Sequence, residues 1–215
     1  MTRSEYELLA MHGLRLRGLA EAVVVADLID EPSLLIHVAL RSLAERGLVV
    51  YRVGHRSGWT LTPAGMEEHK RLLAAELDRT GKREPFTHCY QVFVPLNVRF
   101  LQLCTRWQVR SLDGAKVLND HGDQVYDQVV IDDLAAIDSE IQPLVSKLAD
   151  LLDRYVIHGD RLANALARVL ADDYDWLASP LIDSYHTVWF ELHQDLLVTL
   201  GIDRASEPSP SGALG

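Results

Sequence analysis

Three basic side chains lie close together between residues 50 and 60, in a segment with the composition of a turn. Arg52, His55 and Arg56 flank and occupy a Gly- and Ser-containing loop at residues 54–58. Guanidinium groups bind phosphate oxygens through paired, charged hydrogen bonds. These side chains could therefore contact phosphates or enter a minor groove; the alternative is that they are ordinary solvated residues of a turn.

A second group of polar side chains recurs at helical spacing upstream of that loop. Ser33, His37 and Arg41 are each four residues apart, so on a helix they share one face. Hydroxyl and guanidinium groups can hydrogen bond to base edges in a major groove. Leu34 and Val38 fall on the same side of the helix, so this face also offers apolar surface that could dock a protein partner.

Carboxylate and imidazole groups are dense near the end of the chain. Asp183 and His186 are close enough on one helix to contribute to a metal site, since both groups are common metal ligands. His193 lies about 10 Å further along such a helix, too far from His186 for both to bind one ion directly. Other helices would have to supply the remaining ligands, so the expectation is no metal site.

Aromatic residues are frequent in the second half of the chain. Among them, Trp107, Tyr185 and Trp189 are the candidates for lining a pocket that binds a small apolar effector. The alternative is that they pack in a hydrophobic core, which is the more common place for aromatic residues at helical spacing.

Ser33, His37 and Arg41 share one face only if this segment is helical, and the sequence predicts a helix over residues 32–46. Gly47 lies where a left-handed residue would end this helix. Its predicted buried stripe consists of Ile36, Ala39, Leu40 and Leu43.

The surrounding segments predict further short elements. Helices are expected over residues 4–16 and 20–28, and strands over 48–53 and 59–61 are joined by the basic loop as a hairpin. Thr62 can cap a following helix, with Pro63 in its first position.

Residues 40–49, followed by the hairpin and Leu61-Thr62-Pro63-Ala64-Gly65, resemble the winged-helix core of MarR-type and PadR-type bacterial regulators. The resemblance covers roughly residues 6–77 and implies a winged helix-turn-helix domain over residues 1–80. It further implies a homodimeric transcription regulator that binds a pseudo-palindromic DNA operator. A winged-helix module that docks a protein partner and does not bind DNA is the alternative, because a fold does not fix its function.

The charge of the chain is distributed unevenly. Residues 1–83 contain 12 Lys and Arg against 11 Asp and Glu, whereas residues 84–215 carry a net charge of −11. Acidic surface repels a DNA duplex, so any DNA contact is expected on the N-terminal part.

The second half of the chain predicts a helical bundle over residues 85–202, after a polar linker near residues 78–85. Such a bundle could serve dimerisation or ligand binding. Residues 203–215 are small and polar and are expected to form a disordered tail. The whole fold is therefore expected to be mostly α. The predicted helices of this half cover residues 86–109, 124–141, 143–157, 160–171 and 182–200.

Composition excludes several classes of function. With no apolar run of about 18 residues and no secretory leader, a cytoplasmic protein without a membrane span is expected. The chain has 2 cysteines and no motif for phosphate-binding loops, nucleophile elbows or zinc proteases. Neither enzymatic activity nor a cofactor is therefore expected.

Overall fold

The computed structural model describes residues 3–112 and 114–203. Helices dominate this part of the chain, and its β structure consists of two antiparallel hairpins of two strands each. The predicted class, mostly α with small β structure, is confirmed at this level. Residues 204–215, nearly all of the predicted tail, lie outside the described residues.

The chain divides into two compact units. Within the described residues, unit 1 comprises residues 3–83 and 194–203, and unit 2 comprises residues 84–193. The sequence predicts a division between residues 80 and 85. In the structure, the last ten described residues belong to unit 1 together with the N-terminal part of the chain.

Unit 1 begins with three helices, a hairpin and a fourth helix. The elements are α1 (Arg3–Arg17), α2 (Ala22–Leu28), α3 (Ser33–Glu45), β1 (Val49–Arg52), β2 (Gly58–Leu61) and α4 (Pro63–Thr80). The predicted end of α3 and the predicted start of α4 are both confirmed. Gly47 follows α3 with a left-handed φ of 71°, and Thr62 Oγ1 caps α4 by accepting a hydrogen bond from the Gly65 N–H at 3.1 Å. These caps satisfy backbone groups that the helices leave without partners.

The helix α3 packs against α1 and α2 through its apolar stripe. The four predicted stripe residues, Ile36, Ala39, Leu40 and Leu43, are all buried. On α1, the buried Glu7 carboxylate accepts hydrogen bonds from Ser42 Oγ at 2.7 Å and from Arg46 at 2.6 Å. One side of α3 is thus fixed both by apolar packing and by a charged hydrogen-bond network, which leaves its other side for solvent.

The hairpin of unit 1 is held at its base by the rest of the unit. Residues 49–52 pair with residues 58–61, and Trp59 exchanges two backbone hydrogen bonds with Ala20, at 3.1 and 2.8 Å. A side chain at Gly65 would collide with the carbonyl oxygen of Leu48, so α4 approaches the chain before β1 this closely because residue 65 is glycine.

Unit 2 contains long helices and a second hairpin. Its elements are α5 (Arg83–Gln108), β3 (Val109–Leu112), β4 (Ala115–Leu118), α6 (Gln124–Leu151), a 3-10 turn (Asp153–Tyr155), α7 (Val156–Leu170), α8 (Asp175–Ala178) and the first part of α9 (Tyr185–Leu200). Residues 194–200 of α9 belong to unit 1. The predicted linker is short: α4 ends at Thr80, Gly81 caps it with a left-handed φ of 65°, and α5 begins at Arg83.

The prediction of separate helices over residues 124–141 and 143–157 is wrong. One helix, α6, continues through Pro143 to Leu151. A proline in a helix removes the hydrogen bond to the carbonyl four residues earlier. That carbonyl belongs to Ser139, and both residues are exposed, so water can replace the lost hydrogen bond.

The second hairpin was not among the predicted elements of this half. Strands β3 and β4 pair from Val109 with Leu118 to Leu112 with Ala115. The sequence between Leu112 and Ala115 is Asp113-Gly114, a dipeptide that favours tight hairpin turns. This local signal could have found the hairpin.

Candidate nucleic-acid interface

The predicted base-reading residues lie on the exposed side of α3. Ser33, His37 and Arg41 are all exposed. Between them, Leu34 is 72% and Val38 is 53% exposed, whereas the stripe on the other side of the helix is buried. The exposed side of α3 is therefore a mixed strip of hydrogen-bonding and apolar side chains.

The predicted phosphate-binding residues are exposed on the hairpin of unit 1. Arg52 ends β1, and His55 and Arg56 lie in the loop that follows, all three facing solvent. Below them, Tyr51 donates a hydrogen bond from its hydroxyl to Glu21 at 2.6 Å, and its ring packs edge-on against Trp59. The loop thus projects from a hairpin whose base is tied to the helical part of unit 1.

We call the exposed residues Ser33, Leu34, His37, Val38, Arg41, Arg52, His55 and Arg56 the α3–hairpin surface. In the described part of the chain, none of its three arginines forms an ion pair with a carboxylate. Other arginines of unit 1 are paired, for example Arg46 with Glu7 at 2.6 Å and Arg71 with Glu68 at 2.7 Å. The α3–hairpin surface therefore keeps cationic groups that are not neutralised within the protein.

The segment that carries the α3–hairpin surface is positively charged, unlike the chain as a whole. Between residues 33 and 61 the sequence has 4 arginines and 1 glutamate, in a chain whose net charge is −10. A basic stretch within an acidic protein creates a positive potential that attracts anions to that place.

The predicted metal ligands Asp183 and His186 do not form a metal site together. The Asp183 carboxylate lies 3.1 Å from the guanidinium of Arg161. His186 is half-buried beside the ring of Phe100, and burial lowers the pKa of its imidazole. Across residues 3–112 and 114–203, no group of three His, Cys, Asp or Glu side chains is placed to hold a metal ion.

The three aromatic candidates for an effector pocket are buried in unit 2 and fall into two clusters. Trp189 stacks with Tyr185 and with Phe100, and the ring of Tyr185 is tilted against that of Phe100. Trp107 lies instead against His121, at 4.3 Å between ring centroids, and edge-on to Tyr174. The structure therefore brings Tyr185 and Trp189 together but does not place Trp107 in ring contact with either of them.

The polar atoms of the first cluster have partners inside unit 2. The Tyr185 hydroxyl donates to Asp138 at 3.0 Å, and the Trp189 indole N–H donates to Asn97 at 2.9 Å. Burial and the neighbouring Asp138 carboxylate raise the pKa of Tyr185 far above its ordinary value, so its hydroxyl remains a donor. These contacts are those of packed core aromatics with satisfied polar groups.

Unit 1 contains a buried network of polar side chains that the sequence does not predict. His12 on α1 lies with Nε2 3.1 Å from a carboxylate oxygen of Asp195 on α9 and with Nδ1 3.2 Å from His69 Nε2 on α4. Thr199 donates to the other Asp195 oxygen at 3.1 Å. These residues are far apart in sequence, so no motif or helical spacing relates them.

Both cysteines are buried and free. Burial raises the pKa of the Cys89 thiol, and raises that of Cys104 to about 12. Both are therefore thiols at neutral pH, whereas nucleophilic catalysis uses the thiolate.

None of the helices in the described part of the chain combines the length and the hydropathy needed to cross a membrane. Comparisons with protein families, with curated proteins and with solved structures found no match to this chain.

Proposed function

We propose that this protein binds DNA through the α3–hairpin surface and acts as a homodimeric, winged-helix regulator of transcription in the cytoplasm. The observation that carries the proposal is that Arg41, Arg52 and Arg56 are exposed and form no ion pair among the described residues. An unpaired guanidinium can bind a phosphate or a guanine edge without first breaking a contact inside the protein.

In this proposal the exposed side of α3 enters a major groove. That groove is about 12 Å wide and admits one helix. Ser33, His37 and Arg41 would face base edges, with Arg41 suited to the two acceptors of guanine. The exposed Leu34 and Val38 would then contact thymine methyl groups, the apolar feature of that groove.

The hairpin would contact the DNA backbone beside the helix. Arg52 and Arg56 supply charge for phosphates, and His55 lies between them in the exposed loop. Such contacts add affinity that depends on salt and not on base sequence. Unit 2 would hold two copies together, because a dimer reads two half-sites about one helical turn apart.

The test measures fluorescence anisotropy of a labelled duplex from the region upstream of the protein's own coding sequence, with a scrambled duplex as the reference. Binding is measured at about 50 mM and about 150 mM salt. We expect tighter binding to the upstream duplex at both salt concentrations. Arg52→Ala with Arg56→Ala should weaken binding to both duplexes similarly and reduce the slope of log affinity against log salt by about 2.

Arg41→Ala should instead reduce the preference for the upstream duplex, since in this proposal Arg41 would contact the bases. The control for the loss of positive charge is Arg79→Ala with Lys147→Ala, two exposed cations outside the α3–hairpin surface. If the control weakens binding as much as the hairpin variant, the binding is an effect of overall charge and the proposed surface is wrong.

The exposed Leu34 and Val38 support one other function, docking of a protein partner on α3. Absence of DNA binding at both salt concentrations would favour it. In that case Leu34→Ser with Val38→Ser should abolish partner capture from the organism's own lysate, while Arg52→Ala with Arg56→Ala should leave capture unchanged.

A further inference from the structure

Unit 1 contains a cavity of about 290 Å³ that is lined by none of the residues of the α3–hairpin surface. Its walls come from α1, from the first half of α4 and from the end of α9 with the residues that follow. This volume lies at the lower end of the range for small-molecule sites, which begins at about 300 Å³. The cavity is therefore suited to a molecule with a single ring, and binding there does not require that the protein binds DNA.

Part of the cavity wall is apolar. Met66 on α4 faces Leu197 and Val198 on α9, and Ile202 continues this surface past the helix end. The end of α9 is held in place because Ile202 N–H donates to the carbonyl of Leu197 at 2.9 Å. An apolar group of a ligand would gain by displacing water from this wall.

The rest of the wall carries charges of both signs. Arg15 and Lys70 are cationic, and Glu67 and Asp203 are anionic. Among the described residues, neither Arg15 nor Lys70 forms an ion pair with Glu67 or with any other carboxylate. Among the described residues, the cavity thus presents the cations Arg15 and Lys70 and the carboxylate of Glu67 with no ion pair between them.

A rigid polar residue completes the wall. His69 lines the cavity, is 2% exposed and is held through His12 by the buried carboxylate of Asp195. His12 Nδ1 lies 3.2 Å from His69 Nε2, within hydrogen-bond distance, and both rings are buried, so the ring of His69 is held in position. A fixed wall lowers the ordering cost of binding a ligand.

We propose that this cavity binds a small zwitterion with one apolar group, the chemistry of a free apolar amino acid. Its carboxylate would lie by Arg15 and Lys70, its ammonium by Glu67, and its side chain against Leu197 and Ile202. A ligand with only one of the two charges makes only one of these two charged contacts, so it binds more weakly.

The test is isothermal titration calorimetry of the full-length protein with three matched probes. L-phenylalanine carries both charges, 3-phenylpropionate carries only the carboxylate, and 2-phenylethylamine carries only the ammonium. We expect phenylalanine to bind about tenfold more tightly than either of the other two. No saturable binding of phenylalanine up to about 10 mM, or equal affinity for phenylalanine and phenylpropionate, would overturn the proposal.

Substitutions at two exposed wall residues test which residue contacts which charge of the ligand, and they leave the buried core unchanged. Lys70→Gln should weaken phenylalanine and phenylpropionate by about fivefold and leave phenylethylamine unchanged. Glu67→Gln should weaken phenylalanine and phenylethylamine and leave phenylpropionate unchanged. Arg79→Gln and Glu84→Gln, exposed and outside the cavity, are the matched controls and should bind all three probes like the parent. If the controls change affinity as much as the wall variants, the cavity is not the site.

Discussion

The arginines of the α3–hairpin surface and the arginines of unit 2 differ in what surrounds them. The former are exposed and form no ion pair in the described part of the chain. In unit 2, four arginines contact carboxylates, in the pairs Arg99 with Glu140 (2.8 Å), Arg106 with Asp133 (2.7 Å), Arg110 with Asp120 (3.3 Å) and Arg161 with Glu191 (2.6 Å).

This difference shows that the same residue type has two uses in one chain. An arginine paired with a carboxylate has part of its hydrogen-bonding capacity occupied, and its charge is neutralised locally. An unpaired one adds little to folding but retains its charge for an external anion. Four arginines of the carboxylate-rich unit 2 are therefore neutralised locally, whereas the three arginines of the α3–hairpin surface stay open to an anionic partner.

Among the paired arginines, the largest effect on stability is expected from substitution of Arg161. Its guanidinium contacts Glu191, whose side chain is 4% exposed, and also Asp183. Arg161→Met leaves the Glu191 carboxylate buried without this partner, so the free energy of unfolding should fall by about 3 kcal/mol. Urea unfolding followed by circular dichroism measures it.

The matched variant replaces both partners, Arg161→Met with Glu191→Met. It should regain most of the lost stability because no uncompensated charge remains buried. A single variant as stable as the parent would show that this ion pair is not part of what holds unit 2 together.

A smaller effect on folding stability is expected from protonation of His186 in unit 2. Burial lowers the pKa of this imidazole below its ordinary value of 6.5. The unfolded chain therefore takes up the proton first as the pH falls, and folding stability decreases below about pH 6.5. Urea unfolding of His186→Gln between about pH 8 and about pH 5 should show less loss of stability than the parent. An identical pH profile for both proteins would contradict the assignment to His186.

The smallest effects are expected at exposed arginines. Arg106→Ala breaks a half-exposed ion pair with Asp133 and should lower the free energy of unfolding by about 0.5 kcal/mol. Arg52→Ala with Arg56→Ala breaks no such pair, so its unfolding should match that of the parent within about 0.5 kcal/mol. Parallel urea titrations measure both. If the hairpin variant is less stable than Arg106→Ala, Arg52 and Arg56 stabilise the fold, which would contradict the difference drawn between paired and unpaired arginines.

Features that depend on neighbouring residues could be predicted from the sequence. The buried stripe of α3, the left-handed Gly47 and the capping Thr62 are each set by a few adjacent residues, and all three are confirmed. The exposure of the six predicted contact residues follows from the same helical and hairpin periodicity. Their contact with DNA stays a prediction.

Two errors show where local signals were read incompletely. The sequence predicts a break between residues 141 and 143, but α6 continues through Pro143, since the exposed carbonyl that loses its hydrogen bond can bond to water. The sequence Asp113-Gly114 is a hairpin signal within a half interpreted as helical throughout. The Asp-Gly dipeptide is a local signal that the sequence contains, whereas the exposure of the carbonyl before Pro143 depends on how the helix packs.

The sequence by itself determined the mostly helical class, the caps of α3 and α4, and the placing of a basic loop on a hairpin, because these depend on residues a few positions apart. Only the tertiary structure decided which arginines have carboxylate partners and that His12, His69 and Asp195 meet beside a cavity. Those contacts join side chains from distant parts of the chain, so neither spacing nor residue type indicates them until the chain is folded.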